Sequence, residues 1–374
     1  MPVSSSTSSS ERTGRHDLRV LLRNALLLLL VVIVFDQLGG LVLRFLYFQQ
    51  KSGPNAETTY LFTAMKADGL ILGSSRGRRN YNSLTLADTL GFKVYNGGHD
   101  GQTVFYELAV VRSVLKRYTP KLVIIDLNPE ELYYRELHYD RLNVLAPYYR
   151  DFPEVRDIYL LRGVRDGSWR PGSLFVSPAQ PSNNSWDNFW FRIHAMEEYL
   201  IPINTEKIKM LSGIYPYNSM PLDILSGIFR KRHSHAGFKP LKGVISKKKA
   251  EELIRQNAAL RLQPGKRVDK HKVAALEEMI TLLKQRGVAV MVVMSPALAP
   301  FGMEASYQTV LDLCARHQIP FRDYSQDSTY LDLKYFYDNH MNLEGATLFS
   351  SRLASDIVRV YYPNLKQQYG QRPR

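Results

Sequence analysis

The feature that most restricts the fold of this chain is a series of short apolar runs that each end abruptly in small or polar residues. The first run, residues 69–73, ends in Ser74 and Ser75. Flat apolar runs of this length are typical of strands buried on both faces, as in a parallel sheet. Similar runs follow at residues 92–95, 121–127, 288–294 and 320–324. The sequence therefore predicts an α/β fold built on a parallel sheet.

Helical patterns separate these runs. They cover residues 83–90, 102–118, 269–287, 307–317 and 343–360. Strands that alternate with helices predict a doubly wound sheet with helices on both faces. The alternation stops at residues 136–263, which we interpret as a large, partly helical insertion. The predicted domain spans residues 67–363, and a loose tail follows at 364–374.

An apolar stretch near the N-terminus predicts a membrane-spanning helix at residues 18–47. Its core, residues 24–43, has about the 20 residues that a bilayer requires. A cleaved signal peptide is the competing interpretation, but no small-x-small cleavage site follows the apolar core. The polar residues 1–17 are expected to be a disordered tail, and residues 48–66 a linker to the domain.

The flanking charges predict the orientation of this helix. Four arginines precede the apolar core, at positions 12, 15, 19 and 23, whereas Arg44 and Lys51 follow it. The positive-inside rule then places the N-terminus in the cytoplasm and the domain outside, as in a single-pass protein of the inner (cytoplasmic) membrane. Asp36 interrupts the core and is costly in lipid. It lies either near the outer interface, which we favour, or at a contact with a membrane partner.

The net charge of +14 is unevenly distributed, because residues 230–272 hold 14 Lys or Arg residues and three acidic ones. Such a block suits an anionic polymer or lipid headgroups, although a solvated helix face is the commoner explanation. No nucleic-acid module accompanies it, so we expect no nucleic-acid partner. His233 and His235 lack further ligands at metal-site spacing, so we expect no metal. The single cysteine, Cys314, is predicted to be a buried core thiol.

Several polar residues at the predicted strand ends and in a late loop are suited to acyl transfer. Ser75 is a candidate nucleophile, although a serine at a strand-to-helix turn is also a common N-cap. A serine hydroxyl needs a base such as His340, and Asp338 would hold that imidazole in the required tautomer. The reaction also develops an oxyanion that needs preorganised donors. The backbone N–H of Gly101 and the side-chain amide of Asn128 are the candidates.

Together these positions resemble the SGNH (GDSL-type) hydrolase superfamily. Four segments match its blocks in order: residues 72–75 the nucleophile block, 96–101 the Asn-x-Gly-x-x-Gly block, 126–128 the block that ends in the oxyanion asparagine, and 337–345 the acid–base block with the helix after it. The resemblance covers about residues 67–135 and 265–362. It implies a flavodoxin-like, three-layer, doubly wound parallel sheet, with the insertion outside the resemblance.

Three positions depart from the family pattern. Ser74 stands where the family usually has Asp, which is similar to the membrane-anchored protein that D-alanylates teichoic acids. The usual Asp-x-x-His spacing would place Tyr337 at the acid position, whereas Asp338 lies two residues before His340, as in the alginate-type O-acetyltransferases. Pro129 follows the asparagine where the family usually has Asp.

The resemblance implies acyl transfer through an acyl-enzyme on Ser75, with Gly101 and Asn128 as oxyanion donors and no cofactor. Water as acceptor would make the protein an esterase, and a sugar hydroxyl would make it an O-acyltransferase. The polymer-modifying relatives imply a cell-surface polysaccharide, or a similar acylated molecule, as substrate. They also imply a multispanning membrane acyltransferase as a partner that exports the acyl group, and Asp36 is the candidate residue for that contact if it does not lie at the outer interface.

Other interpretations remain open at this stage. Arg76 and Arg79, with Arg78 between them, would bind a carboxylate or phosphate of the substrate, or else be solvent-facing turn charges. The same fold would also serve as a non-catalytic scaffold or carbohydrate-binding subunit of a cell-envelope assembly complex. A nucleotide-dependent transferase is disfavoured, because residues 73–77 lack a Gly-rich phosphate pattern.

Overall fold

A five-stranded parallel sheet forms the centre of the protein. The computed structural model describes residues 8–163, 205–229, 236–261, 265–299 and 305–369. The strands are β1 (Gly69–Leu72), β2 (Val94–Asn96), β3 (Leu122–Asp126), β4 (Ala289–Met294) and β5 (Phe321–Asp323). Their order is β2-β1-β3-β4-β5, and every neighbouring pair is parallel. The α/β class and the parallel sheet are confirmed, and the strand order is that of flavodoxin-like doubly wound sheets.

The described helices are α1 (Ser8–Phe48), α2 (Pro54–Thr63), α3 (Ser75–Asn80), α4 (Ser83–Leu90), α5 (Val104–Leu115), α6 (Glu136–Asp140), α7 (Arg156–Leu160), α8 (Thr205–Lys209), α9 (Pro221–Phe229), α10 (Lys247–Arg261), α11 (Lys270–Gln285), α12 (Ala305–Arg316) and α13 (Leu343–Tyr369). Short 3₁₀ turns join several of them. A small antiparallel hairpin, β6 (Phe336–Tyr337) and β7 (His340–Met341), precedes α13.

The two faces of the sheet are covered by two separate apolar cores. Successive strand residues point to opposite faces. On β1, Leu70 and Leu72 join the core formed with α2, α5, α11 and α12, whereas Ile71 joins the core formed with α4 and α13. The sheet is therefore a middle layer between helices. Because both faces are buried, the strands show the flat apolar pattern seen in the sequence.

Helix α1 is long and apolar enough to cross a membrane. The side chains of residues 20–35 are largely exposed, and contact with the domain begins at Asp36. The helix starts at Ser8, ten residues before the predicted boundary, so the predicted disordered tail is wrong for residues 8–17. Residues 1–7 lie outside the described residues.

The structure corrects two further expectations. Residues 54–63 of the predicted linker form α2, whose Leu61 and Phe62 are buried in the core. The predicted loose tail is helical as far as Tyr369, and residues 370–374 are not among those described. His233 and His235 also lie outside the described residues. Cys314 is buried, as predicted.

Candidate active site

Ser75 lies at the carboxyl end of β1, a central strand of the sheet, where it begins helix α3. The turn that carries it is tight. Gly73 has φ +148°, and a Cβ there would lie 2.9 Å from the Cβ of Asp126, so only glycine fits. Ser74 occupies the N-cap position, but its side chain does not cap the helix. The hydroxyl of Ser75 is left at the edge of the sheet where neighbouring strands also end.

His340 reaches Ser75 from the β6–β7 hairpin. Its Nε2 atom lies 2.8 Å from the Oγ atom of Ser75, although the two residues are 265 positions apart. The hairpin is held against α3, because the backbone N–H of Met341 donates to Oδ1 of buried Asn80 over 2.9 Å. Asn342 fixes the other end by donating to the carbonyls of Gly243 and Lys334. The predicted pairing of serine and imidazole is thus present as a hydrogen bond.

The environment of His340 favours the neutral imidazole. Burial lowers its pKa to about 4, and the nearby cations of Arg79 and Arg76 act in the same direction. The carboxylates of Asp338 and Asp100 oppose this effect. At neutral pH the ring therefore carries no charge, and one of its nitrogens is available as a proton acceptor.

Asp338 does not make the hydrogen bond that the sequence predicted. It occupies the turn between the two hairpin strands with φ +57°, a conformation that Asp tolerates, and it is exposed. Within the described residues, no hydrogen bond joins it to His340. Asp338 lies in the turn rather than in a paired strand. The spacing of two residues before His340 therefore did not predict correctly that the carboxylate would bond to the imidazole. Its influence on His340 is electrostatic, and a role as catalytic acid stays a prediction.

Gly101 and Asn128 line the same cavity as Ser75 and His340, which has a volume of about 300 Å³. Gly101 has φ +72°, and its carbonyl accepts a 2.8 Å hydrogen bond from Arg141. Asn128 caps the 3₁₀ turn Pro129–Leu132, because its Oδ1 accepts from the N–H of Glu130 over 3.0 Å. This bond fixes the orientation of the amide. Both residues that the sequence predicted as oxyanion donors therefore line the cavity that contains the serine.

The arginines after Ser75 are paired with protein groups. Arg76 lines the cavity but is buried, and it donates to the hydroxyl and carbonyl of Ser295 at the end of β4. Arg79 forms a 2.9 Å ion pair with Asp100, and Arg78 forms one of 2.6 Å with Glu57. The solvent-facing alternative is therefore wrong for Arg76 and Arg78. Arg76 and Arg79 act on the site through their charge near His340.

A second group of ionisable residues borders the cavity, and sequence reasoning missed it. Glu131 accepts a 2.7 Å hydrogen bond from the hydroxyl of Ser74, and burial raises its pKa to about 7. Lys272 is fully buried, donates to the carbonyls of Glu131 and Tyr133, and lies 2.6 Å from Nδ1 of His138. The only available signal was the pair of glutamates that follows Pro129.

Lys272 determines the state of His138. Burial lowers the pKa of Lys272 to about 8, so at neutral pH it is mainly an ammonium group. An ammonium group has donors only, so in that state the Nδ1 atom of His138 is the acceptor and its proton lies on Nε2. Burial and the charge of Lys272 lower the pKa of His138 to about 3, which keeps it neutral. His138 and Glu131 both line the cavity. The cavity thus combines a serine–imidazole pair with a second neutral imidazole and a carboxyl group that titrates near neutrality.

The arrangement has the chemical parts of a nucleophilic site. A neutral imidazole within hydrogen-bond distance accepts the proton of an attacking alcohol, and the nearby N–H groups suit a developing oxyanion. The described residues contain no cluster of His, Cys, Asp and Glu suited to a metal ion. No protein-family model matches the chain, and no curated protein matches it.

Proposed function

We propose that this protein is a membrane-anchored serine enzyme that transfers acyl groups through an acyl-enzyme on Ser75. The observation that carries the proposal is the 2.8 Å contact between the hydroxyl of Ser75 and Nε2 of His340 inside the cavity. Membership of the SGNH superfamily is part of the proposal. It is supported by the four sequence blocks and by the strand order of the sheet.

In the first half of the reaction, the oxygen of Ser75 attacks the carbonyl carbon of an ester, and its proton passes to Nε2 of His340. The carbonyl oxygen becomes an oxyanion, to which the N–H of Gly101 and the amide of Asn128 donate. When the tetrahedral intermediate collapses, the ester C–O bond breaks. The leaving alcohol takes the proton from His340, and the acyl group remains on Ser75.

In the second half, the hydroxyl of an acceptor attacks the acyl-enzyme and gives its proton to His340. Collapse releases the acylated acceptor and returns the proton to Ser75. Water as acceptor completes an ester hydrolysis, and a sugar hydroxyl completes an O-acyl transfer. A cell-surface polysaccharide is the proposed substrate or acceptor, because the proposed anchor holds the domain on the outer side of the inner membrane. A multispanning membrane acyltransferase is the proposed acyl supplier.

A fluorophosphonate probe tests this function, because it forms a stable bond only with an activated serine. The full-length protein in detergent should be labelled, and Ser75→Ala should not. Ser74→Ala is the matched control, since it removes the neighbouring hydroxyl and should still be labelled. A folded wild-type sample that stays unlabelled would contradict the proposal.

The absence of a hydrogen bond between Asp338 and His340 favours a second candidate, a non-catalytic scaffold or carbohydrate-binding subunit of an envelope assembly complex. In that case neither wild type nor Ser75→Ala would be labelled, and both would bind the same oligosaccharide equally. The enzyme proposal requires that fluorophosphonate labels the wild type and does not label Ser75→Ala.

A further inference from the structure

Large apolar side chains are exposed on the part of the domain that packs against α1. We define the apolar patch as Ile208, Leu211, Ile214, Leu222, Leu225 and Phe229. Leu211 is 72% exposed, Leu222 81% and Phe229 84%. A group of large exposed apolar side chains on one part of a domain marks a site of contact with a protein or a membrane. The occupant can be inferred from where the patch lies along α1.

The first half of the patch is fixed at the level of Asp36. The carboxylate of Asp36 accepts hydrogen bonds from the hydroxyl of Ser212 and the N–H of Gly213, each over 2.6 Å, and from the N–H of Ile214 over 3.3 Å. The amide of Gln37 donates to Asp36 and to the carbonyl of Leu211. The turn that carries Leu211 and Ile214 is therefore fixed beside Asp36 and Gln37 along the axis of α1.

That height lies within the apolar part of α1. The run without Lys or Arg extends from residue 24 to residue 43. At 1.5 Å per residue, Asp36 lies about 10 Å inside the outer end of this run. A carboxylate at such a depth is costly unless it is paired. The donors from residues 212–214 satisfy it, and they bring the turn into the same layer.

Helix α9 carries the second half of the patch at a shallower level. Leu222, Leu225 and Phe229 follow helical spacing and share one face, whereas Ile224 and Gly227 are buried. The N–H of Lys51 donates to the carbonyl of Gly227 over 3.0 Å. At 1.5 Å per residue, α1 ends at Phe48 about 7.5 Å beyond residue 43, and the end of α9 lies beside the residues that follow, near the headgroup layer where amphipathic helices lie.

The remaining face of α1 is also apolar. Leu38, Leu41, Val42 and Phe45 are exposed and lie on one side of the helix. At 100° per residue, this side is opposite Asp36, Gly40 and Tyr47, which face the domain. The helix and the patch therefore present apolar surface over the same range of depth.

We propose that the apolar patch inserts into the outer leaflet of the bilayer, so that the domain is partly embedded rather than only tethered. The occupant is a lipid surface, because the patch continues the bare apolar surface of α1 at matching depth. Lys207 is exposed beside Ile208, and its ammonium group on a long flexible side chain suits anionic headgroups. This inference rests on the part of the proposed function in which α1 spans the membrane.

Depth-dependent fluorescence quenching tests the insertion. The purified full-length protein is reconstituted in vesicles of phosphatidylcholine and phosphatidylglycerol, with single cysteines at Leu30→Cys, Leu211→Cys, Leu222→Cys or Leu84→Cys labelled with an environment-sensitive maleimide dye. The native Cys314 is buried, so it does not compete. Leu84 is the matched control, an exposed leucine on α4.

Lipids with a spin label on the acyl chain should quench the dye at Leu211 about as strongly as at Leu30. A label near the headgroup should quench Leu222 more than a label deep in the chain, and Leu84 should be unaffected. If Leu30 is quenched while Leu211 and Leu222 match Leu84, the insertion is wrong and the patch belongs to a protein partner. If the dye at Leu30 is not quenched either, α1 does not span the membrane, and the proposed insertion of the apolar patch is wrong as well. Fluorophosphonate labelling of Ser75 in the same vesicles reports separately on the proposed catalysis.

Discussion

At the residue scale, the behaviour of His340 follows from burial and from the charges of nearby residues. The sequence suggested that Arg76 and Arg79 bind an anionic substrate group. Both are paired with protein groups, and their cations disfavour a second positive charge on the imidazole. Asp338 acts in the opposite direction. Burial, together with these three charges, therefore sets the pH range over which His340 can accept a proton.

The pH dependence of Ser75 labelling should report this balance. Because the base must be neutral, the rate should fall to half its plateau near pH 4, where His340 titrates. Arg79→Gln removes a cation and should move the midpoint to higher pH. Asp338→Asn removes an anion and should move it to lower pH. A wild-type midpoint near 6.5, the ordinary value for histidine, would contradict this explanation.

The same shift affects stability. The folded-state pKa of His340 is about 4, below the ordinary 6.5, so the unfolded chain binds more protons between these values. The contribution of His340 to stability is complete above this window and is lost as the pH falls through it. Thermal melting of wild type against His340→Gln over this range should show a smaller acid loss in the variant. Equal acid losses would exclude this contribution.

Asp338→Asn should fold and lose little activity. A catalytic aspartate that is hydrogen-bonded to its histidine is worth about 10⁴-fold in rate. Since no such bond is present here, we expect a loss of about tenfold or less, measured as the second-order rate of Ser75 labelling at neutral pH. A loss close to 10⁴-fold would show that Asp338 turns inward during the reaction.

Asn128→Asp separates the capping of the turn Pro129–Leu132 from the proposed donation to the oxyanion. The aspartate keeps an oxygen that accepts from the N–H of Glu130, so the turn Pro129–Leu132 should remain capped. It removes the NH₂ donor from the cavity, and turnover of an activated ester should fall by about 10²–10³-fold. Wild-type turnover with an unchanged melting temperature would remove Asn128 from the oxyanion site.

At the element scale, the site depends on how α3, β4 and the hairpin are joined. Asn80 of α3 accepts from the N–H of Met341 and donates to the hydroxyl of Ser295, which follows β4. Asp126 at the end of β3 accepts from the hydroxyl of Tyr81 and the N–H of Ser295. These buried bonds hold the element with the serine and the element with the histidine in one frame.

Asn80→Ala should destabilise the protein by about 1–3 kcal/mol, because it leaves the buried N–H of Met341 without an acceptor. It should also slow Ser75 labelling, since the hairpin loses its anchor. Asn82→Ala is the matched control: it removes the cap of α4 at a cost of about 0.5–2 kcal/mol but does not contact the hairpin. Thermal melting and labelling rates measure both effects. Equal labelling by the two variants would contradict the anchoring role.

The sequence allowed prediction of the elements but not of the buried polar contacts between them. The strands were predictable because flat apolar runs end in small residues. Ser75 was predictable from its place at such an end, and His340 from the base that a serine nucleophile requires. Helix α3 was not, because its six residues contain a glycine and no apolar pattern. The partner of Arg76 is 219 positions away and that of Lys272 is 134. No local pattern shows that such charges will be buried.

At the scale of the whole molecule, α1 is joined to the domain along its last turns. Arg44 pairs with Asp151, and the hydroxyl of Tyr47 lies 3.1 Å from that of Tyr148. The backbones of α1 and the turn at Gly213 touch, because a Cβ on Gly213 would lie 2.6 Å from the carbonyl oxygen of Asp36. Helix α2 then continues directly into the core.

Gly40→Leu should separate α1 from the domain, because any side chain there overlaps the backbone of Gly213. Gly39→Leu is the matched control, since its Cβ would meet only the side chain of Ile214 at 3.0 Å, which can move. Hydrogen exchange of residues 205–229 should rise in the first variant and stay close to wild type in the second. Identical exchange in both would contradict close packing at Gly40.

Because α2 replaces the expected linker, the distance between the cavity and the end of α1 is restricted. A flexible linker would let the cavity move and bind acceptors at many distances from the membrane surface. Here the chain passes from α1 into α2 and the core with only residues 49–53 between the two helices. In the proposed orientation the cavity is therefore held at a fixed distance from the membrane surface. A polysaccharide substrate would have to come to that distance to be modified.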